Sequence, residues 1–368
     1  MSNALLISIN SSWNIVHFRA GLVNAFKKAG YSIISAAPRD DYTAKLEAMV
    51  QQHIDMPMDH AGTSPLKDFA LFVRYLRVLR RLRPKLLLTY TVKPNIYGAL
   101  AARLVGVPVI ANVSGLGTAF IHDSWVTRVV KVLYRLAFAQ AQAVFFQNPE
   151  DRELFITKRL VAPHKALLLK GSGIDLQHFA PSHIAAAPQS FVLIARMLWD
   201  KGVGEFVEAA RRVKAQYPSA TFTLVGAMGA KNQTAIAQSM MDAWVAEGIV
   251  TYRGVIEDVR DLMAQHACVV LPSYREGMSR VLLEASAMGR PIITTDVAGC
   301  RQVVTHGKNG LLCKVRDVDS LAERMKEFLS LSDTQRTQMG HESRLKAEAE
   351  FDEQHVFDAY LSEIKSLS

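Results

Sequence analysis

Cysteine is scarce in this chain. Cys268, Cys300 and Cys313 are the only three in 368 residues, each in or beside an apolar segment. Their spacing suits neither a disulfide scaffold nor a metal module, so they read as core residues of a reducing compartment. Long apolar runs are missing too. The longest candidate, 126–146, is interrupted by Arg128, Lys131 and Arg135, which excludes a membrane-spanning helix. Only three residues precede the apolar run Ala4-Leu5-Leu6-Ile7-Ser8-Ile9, so no secretory leader is expected. Low-complexity tracts and internal repeats are absent. What remains is a soluble-type composition, 49% hydrophobic, long enough for two domains with full cores.

Acidic residues are in short supply in one half only. Residues 1–172 carry 22 Lys and Arg against 10 Asp and Glu, a balance of +12; the rest carry 21 against 24, or −3. The basic excess belongs to the N-terminal half and points to an anionic partner surface, membrane phospholipid or nucleic acid.

Apolar strands alternate with helical patterns throughout. In the first half strands are expected at 4–9, 31–37, 85–90, 107–113, 142–147 and 166–170, with helices at 18–29, 66–82, 95–105, 125–140 and 149–159. In the second, strands fall near 190–195, 220–226, 249–253, 267–271, 291–295 and 310–313, with helices at 202–216, 233–247, 257–264, 279–289 and 318–330. Such alternation means parallel sheets with crossover helices. Between Phe179 and Ser190 the chain has almost no large apolar residue, the mark of a linker. The expected class is α/β, two doubly wound Rossmann-like domains facing a cleft. Residues 1–178 form the first domain, 190–348 the second, and 349–368 a C-terminal helix returning to the first.

The densest chemistry lies in Arg275-Glu276-Gly277-Met278-Ser279-Arg280-Val281-Leu282-Leu283-Glu284-Ala285. Cys268–Leu271 reads as a buried strand ahead of it. That places two carboxylates, Glu276 and Glu284, at a strand's C-terminal end, where open α/β sheets bind ligands. A helix start there favours phosphate, and the acids suit sugar or ribose hydroxyls; a solvated loop acid beside a surface helix acid is the competing reading. After the strand at 190–195 come Arg196 and Lys201, two cations suited to a diphosphate. Tyr252-Arg253-Gly254 ends another strand.

In order and spacing, Arg196…Lys201-Gly202, Gly254 with Asp258-Val259, Leu271-Pro272-Ser273, Glu276-Gly277…Glu284-Ala285, Gly289-Arg290-Pro291-Ile292 and Gly307…Asn309-Gly310-Leu311 resemble the family 4 glycosyltransferases of GT-B fold. Gly173-Ile174-Asp175 resembles that family's domain junction. The resemblance implies a retaining transferase with no cofactor and no bound metal, its donor substrate a UDP-sugar. It implies that Arg196 and Lys201 hold the diphosphate and Glu276 the sugar, the three catalytic positions, and that Glu284 holds the ribose. Arg253, Gly254, Gly277, Met278, Ser279 and Arg280 complete the donor-binding set. Met278-Ser279 stands where many members have Phe-Gly, which touches sugar selectivity.

In the first half, Thr89-Tyr90-Thr91-Val92-Lys93-Pro94-Asn95 and Asn112-Val113-Ser114-Gly115-Leu116-Gly117 each follow a strand. They resemble a bacterial surface-glycan subgroup acting on polyprenyl-diphosphate-linked acceptors. Ser12, Asn14, Lys93, Asn95, Asn112 and Ser114 are the expected acceptor-binding residues. On the helix at 66–82, Lys67, Arg74, Arg77 and Arg81 share one arc, with Phe69, Phe72, Leu76 and Leu79 opposite. With Arg128, Lys131 and Arg135 they suggest an anionic membrane surface at the inner face of the cell membrane. Nucleic acid is disfavoured, since no recognition motif accompanies the charge. The function expected is transfer of a hexose or N-acetylhexosamine to a lipid-diphosphate-linked glycan. Transfer to a soluble acceptor and UDP-N-acetylglucosamine 2-epimerisation stand as alternatives.

Overall fold

The structure, a computed structural model, describes residues 3–59, 62, 64–115, 125–184, 186–229 and 234–367. The chain divides into two compact units, Met1–Ser172 with Glu353–Ser368, and Gly173–Asp352.

The first unit is a seven-stranded parallel sheet. Its strands are β1 (Ala4–Ser8), β2 (Ser32–Ala37), β3 (Gln52–Asp55), β4 (Leu86–Tyr90), β5 (Val109–Val113), β6 (Ala143–Phe146) and β7 (Ala166–Leu168), in the order β3-β2-β1-β4-β5-β6-β7. Strands β1, β4 and β5 are buried along their whole length, as parallel strands covered on both faces must be. The helices are α1 (Ser12–Phe18), α2 (Ala20–Lys28), α3 (Thr43–Met49), α4 (Pro65–Leu82), α5 (Ala99–Val105), α6 (Trp125–Phe138) and α7 (Pro149–Thr157). The helix expected at 18–29 is α2; α1, which was not expected, precedes it across a break at Arg19 (φ −137°, ψ 9°). The expected helix at 95–105 opens instead with a π-helical turn, Pro94–Gly98.

The second unit has β8 (Ala187–Ile194), β9 (Thr221–Val225), β10 (Thr251–Tyr252), β11 (His266–Leu271), β12 (Ile292–Thr295) and β13 (Gly310–Cys313), ordered β10-β9-β8-β11-β12-β13 and all parallel. Around them run α8 (Val203–Lys214), α9 (Gln238–Ala246), α10 (Arg260–Gln265), α11 (Arg280–Ala287), α12 (Val318–Ser330) and α13 (Asp333–Glu350). The three cysteines are buried, and burial pushes Cys300 and Cys313 up to about 12; they are inert core thiols.

A last helix, α14 (Glu353–Lys365), belongs to the first unit. It sets Val356, Phe357, Tyr360 and Ile364 into a core with Phe26, Tyr90 and Phe145. The unit boundary falls at 172/173, ahead of the expected linker. The reason is Ile174 and Phe179: both are buried in the second unit's core, and Ile174 donates its N–H to the Phe351 carbonyl at 2.8 Å. Residues 187–190 are likewise strand, and 349–350 finish α13.

Helix α4 turns differently from its helical-wheel reading. Leu71, Tyr75 and Leu79 are its buried face, whereas Phe69 is 66% and Leu66 83% exposed. Arg74, Arg77, Arg80 and Arg81 are exposed as well. On α6, Val129, Val132 and Leu136 are exposed beside Arg128 and Arg135. No helix among the described residues is long and apolar enough to cross a membrane.

Candidate active site

Each sheet changes winding direction between two neighbouring strands, β1 and β4 in the first unit and β8 and β11 in the second. Loops leaving the C-terminal ends of such a pair diverge and leave a ligand-binding crevice. Most of the candidate site residues gather at these two places, while Arg253 and Gly254 stand apart at the end of the edge strand β10.

In the second unit, β8 ends into Arg196-Met197-Leu198-Trp199-Asp200-Lys201 and β11 into Pro272–Ser279. Two hydrogen bonds tie the two loops together, and a third ties the second loop to β12. The Ser273 hydroxyl donates to the Asp200 carbonyl at 3.1 Å, the Tyr274 N–H donates to the same oxygen at 2.9 Å, and the Thr295 hydroxyl donates to the Ser273 carbonyl. So held, the Lys201 ammonium forms an ion pair with Glu276 Oε1, both side chains largely covered. Arg196 is exposed, with no ion pair among the described residues. The loop carrying Glu276 rests directly on Gly299 (φ 79°), where a Cβ would fall 2.5 Å from the Glu276 carbonyl oxygen and 2.6 Å from that of Gly277. Only glycine permits this approach.

Glu284 lies one turn into α11, and burial raises its carboxyl above the ordinary range against the pull of Arg280. Arg280 Nε donates to Glu284 Oε1 at 3.1 Å, its Nη1 donates to the Gly173 carbonyl at 3.1 Å, and its guanidinium lies 5.9 Å from the Phe179 ring centroid. Arg280 therefore orients Glu284 and fastens the 173–179 segment beside it. Ser279 is the N-cap residue of α11, while Met278 is packed into the core with Leu282 and Cys300. Arg253 is exposed at the end of β10, and Gly254 (φ 67°) accepts the Gly226 N–H at 2.8 Å. The chain's Asp317-Val318-Asp319 triplet is structural: Asp317 caps α12 and Asp319 pairs with Arg212.

In the first unit, Asn95 Nδ2 donates to the Asn112 carbonyl at 2.8 Å, Asn112 Nδ2 donates to Tyr360 Oη at 3.0 Å, and the Ser114 hydroxyl donates to Asn112 Oδ1 at 3.1 Å. These three form one polar network at the ends of β4 and β5. Asn14 Oδ1 accepts from Arg19. Ser12 departs from expectation, being fully buried with its hydroxyl donating to the Pro38 carbonyl. Lys93 is already neutralised: its ammonium lies 2.6 Å from Asp68 Oδ1, and Tyr97 donates to the other oxygen at 3.0 Å. Asp68 comes from α4, so spacing within one loop could not have found it. Leu116 and Gly117 lie outside the described residues.

Residues 16–170 match the glycosyl transferase 4-like domain, and residues 188–331 match glycosyl transferases group 1. Among curated proteins, the chain is 29% identical over 334 residues to the N,N'-diacetylbacillosaminyl-diphospho-undecaprenol alpha-1,3-N-acetylgalactosaminyltransferase of Campylobacter jejuni, covering 86% of each. It is 27% identical over 276 residues to the UDP-Gal:alpha-D-GlcNAc-diphosphoundecaprenol alpha-1,3-galactosyltransferase of Escherichia coli, covering 70% of this chain and 69% of that one. Among solved structures, Anabaena Alr3699/HepE in complex with UDP superposes with a TM-score of 0.79 over the full length of both chains at 19% identity, a likeness of fold. The matched families adjoin one another along most of the chain, the first spanning β2 to β7 and the second β8 from residue 188 to β13. The protein belongs to the two-domain glycosyltransferases whose first half is the 4-like domain and whose second half is the group 1 domain, and it is an enzyme of that class.

Proposed function

We propose that this glycosyltransferase moves a hexose or N-acetylhexosamine, with retention, from a UDP-sugar to a glycan carried on a polyprenyl diphosphate. The observation that carries the donor half is the grouping of Arg196, the Lys201–Glu276 pair and Glu284 at the β8/β11 switch point. In this reading the Lys201 ammonium and Arg196 take the diphosphate as its negative charge grows on bond cleavage, the form of stabilisation that lowers such barriers most. Glu276, released from Lys201 when phosphate arrives, accepts from the sugar's hydroxyls. Glu284, held by Arg280, accepts from the ribose.

For the acceptor, the support is the pair of curated relatives, whose names both specify a diphospho-undecaprenol glycan. The exposed apolar and basic side chains of α4 and α6 fit docking on anionic lipid, which brings the enzyme to the inner face of a membrane where such an acceptor resides. The test is a panel of UDP-sugars, with UDP release measured with and without polyprenyl-diphosphate-linked glycan and repeated in EDTA. One donor should turn over only with the lipid-linked acceptor, and chelation should leave the rate intact. Equal turnover on a neutral soluble glycoside would overturn the acceptor assignment.

A further inference from the structure

Arg19 stands at the break between α1 and α2, one helix beyond β1, and is only 6% exposed. Its guanidinium lies 4.0 Å over the Tyr90 ring, and Nη1 donates to Asn14 Oδ1 at 3.0 Å. Nε is buried with no acceptor, and no Asp or Glu pairs with this cation among the described residues. Tyr90 and Tyr360 complete its surroundings, their rings 6.4 Å apart. A cation withdrawn from water without a counter-charge is costly, and stacking on one ring offsets only part of that cost.

Tyr90 ends β4, so the Arg19 guanidinium lies at the C-terminal end of one of the two switch-point strands. The chain just beyond is also unusual. Thr91 has φ 65°, a left-handed conformation that a β-branched residue adopts only under constraint. Its hydroxyl and Asn95 Oδ1 are buried without partners, and the π-helical turn follows at once. Strain, a π-turn and unspent polar atoms are what a binding site built for an absent ligand leaves behind.

We propose that a phosphate-class anion docks at the β1/β4 switch point against the Arg19 guanidinium, and that Arg19 is the residue recognising the anionic part of the acceptor. This rests on the acceptor reading above. Lys93 is the weaker anchor, because Asp68 already neutralises it. A guanidinium presents a planar fork of donors that matches phosphate oxygens two at a time, and Thr91 can donate alongside.

The test is calorimetric binding to the UDP-saturated enzyme of three probes, farnesyl diphosphate, farnesol and inorganic pyrophosphate. Wild type should bind farnesyl diphosphate and not farnesol. Arg19→Met should weaken that binding about ten- to a hundredfold while UDP affinity stays unchanged; Arg19→Lys, keeping charge without the fork, should fall between. Pyrophosphate bound as tightly as farnesyl diphosphate, with the same dependence on Arg19, would support the anion site with free phosphate as its source. Equal binding of farnesyl diphosphate by wild type and Arg19→Met sinks this inference and leaves the acceptor reading standing. Should Arg19→Met lose UDP affinity as well, it is misfolded and Arg19→Lys decides, unaltered affinity being the contrary result. A wild type that binds neither phosphate probe overturns the proposal, and turnover on a neutral glycoside would then remove the acceptor reading too.

Discussion

Lys201 and Glu276 stand 75 positions apart in sequence, yet they form an ion pair across the loops that leave two neighbouring strands. In the function proposed above, the pair holds a diphosphate-binding cation and a sugar-facing carboxylate against one another until a diphosphate offers the lysine a better partner. Lys201→Ala should cost on the order of 10²-fold in kcat/KM, the usual cost of removing one charge-stabilising donor, and weaken UDP. Glu276→Ala should lower turnover with little change in UDP affinity. The double variant should lose less than the product of the two, since each single change already breaks the pair. Strictly multiplicative losses would mean the two act separately.

Glu284 makes a prediction in two media. Glu284→Ala should weaken UDP by about 1.5–3 kcal/mol, the worth of hydrogen bonds to a charged group; unchanged affinity in calorimetry would detach Glu284 from the ribose. Burial also raises its carboxyl in the folded enzyme, so over the interval between the unfolded and folded titrations the folded state holds a proton that the unfolded chain has released. Stability attached to this group is therefore present at low pH and lost as pH rises out of the ordinary carboxylate range. Relative to wild type, Glu284→Gln should gain stability across that rise, read by urea unfolding at stepped pH.

Gly299 predicts a defect without any chemistry of its own. Its Cβ in Gly299→Ala would meet the Glu276 and Gly277 carbonyls, so the loop must shift and carry Glu276 away from Lys201. A shift of about 1 Å can cost on the order of 10²-fold in rate. Gly248→Ala has the same backbone conformation (φ 68°) in open space; it should lose about 1 kcal/mol of stability and keep full activity. Equal activities of the two variants would refute the loop-support role.

The basic face is tested by reversing Arg74, Arg77 and Arg81 to Glu together. The triple variant should leave vesicles of acidic phospholipid, losing roughly 1 kcal/mol or more per charge, and wild type should leave them as salt rises. Turnover on a water-soluble acceptor should be preserved. Phe69→Ser should weaken vesicle binding without salt dependence, because that contribution is apolar. Equal vesicle binding by wild type and triple variant would make α4 an ordinary solvated helix.

The alternation of buried strands with amphipathic helices was legible because parallel strands covered on both faces are continuous apolar runs. β13 and α12 fall where periodicity puts them. Elements lacking an apolar stripe were missed: α3, the partly exposed edge strand β3, and α13, which is polar around most of its circumference. The signal for α13 was local, a capping box in which Ser332 and Gln335 serve each other's backbone. At the site, Glu276, Glu284, Arg196 and Lys201 were visible by order and spacing. Their pairing was not, since it depends on which loops the sheet brings together. Arg280 and Asp68 owe their contacts to the same tertiary placement, as does Arg19, whose partner ring Tyr90 lies 71 positions along the chain.

Helix α14 has a consequence for how the protein is made. The first unit's core needs Tyr360 and Phe357, yet the whole second unit is translated between Ser172 and Glu353. At about 5–20 residues per second, the first sheet waits on the order of ten seconds or more with Phe26, Tyr90 and Phe145 incompletely covered. The second unit, whose core draws on one continuous stretch of chain, can finish folding first. The nascent enzyme thus passes through a stage in which the second unit is complete and the first offers chaperones an open apolar seam.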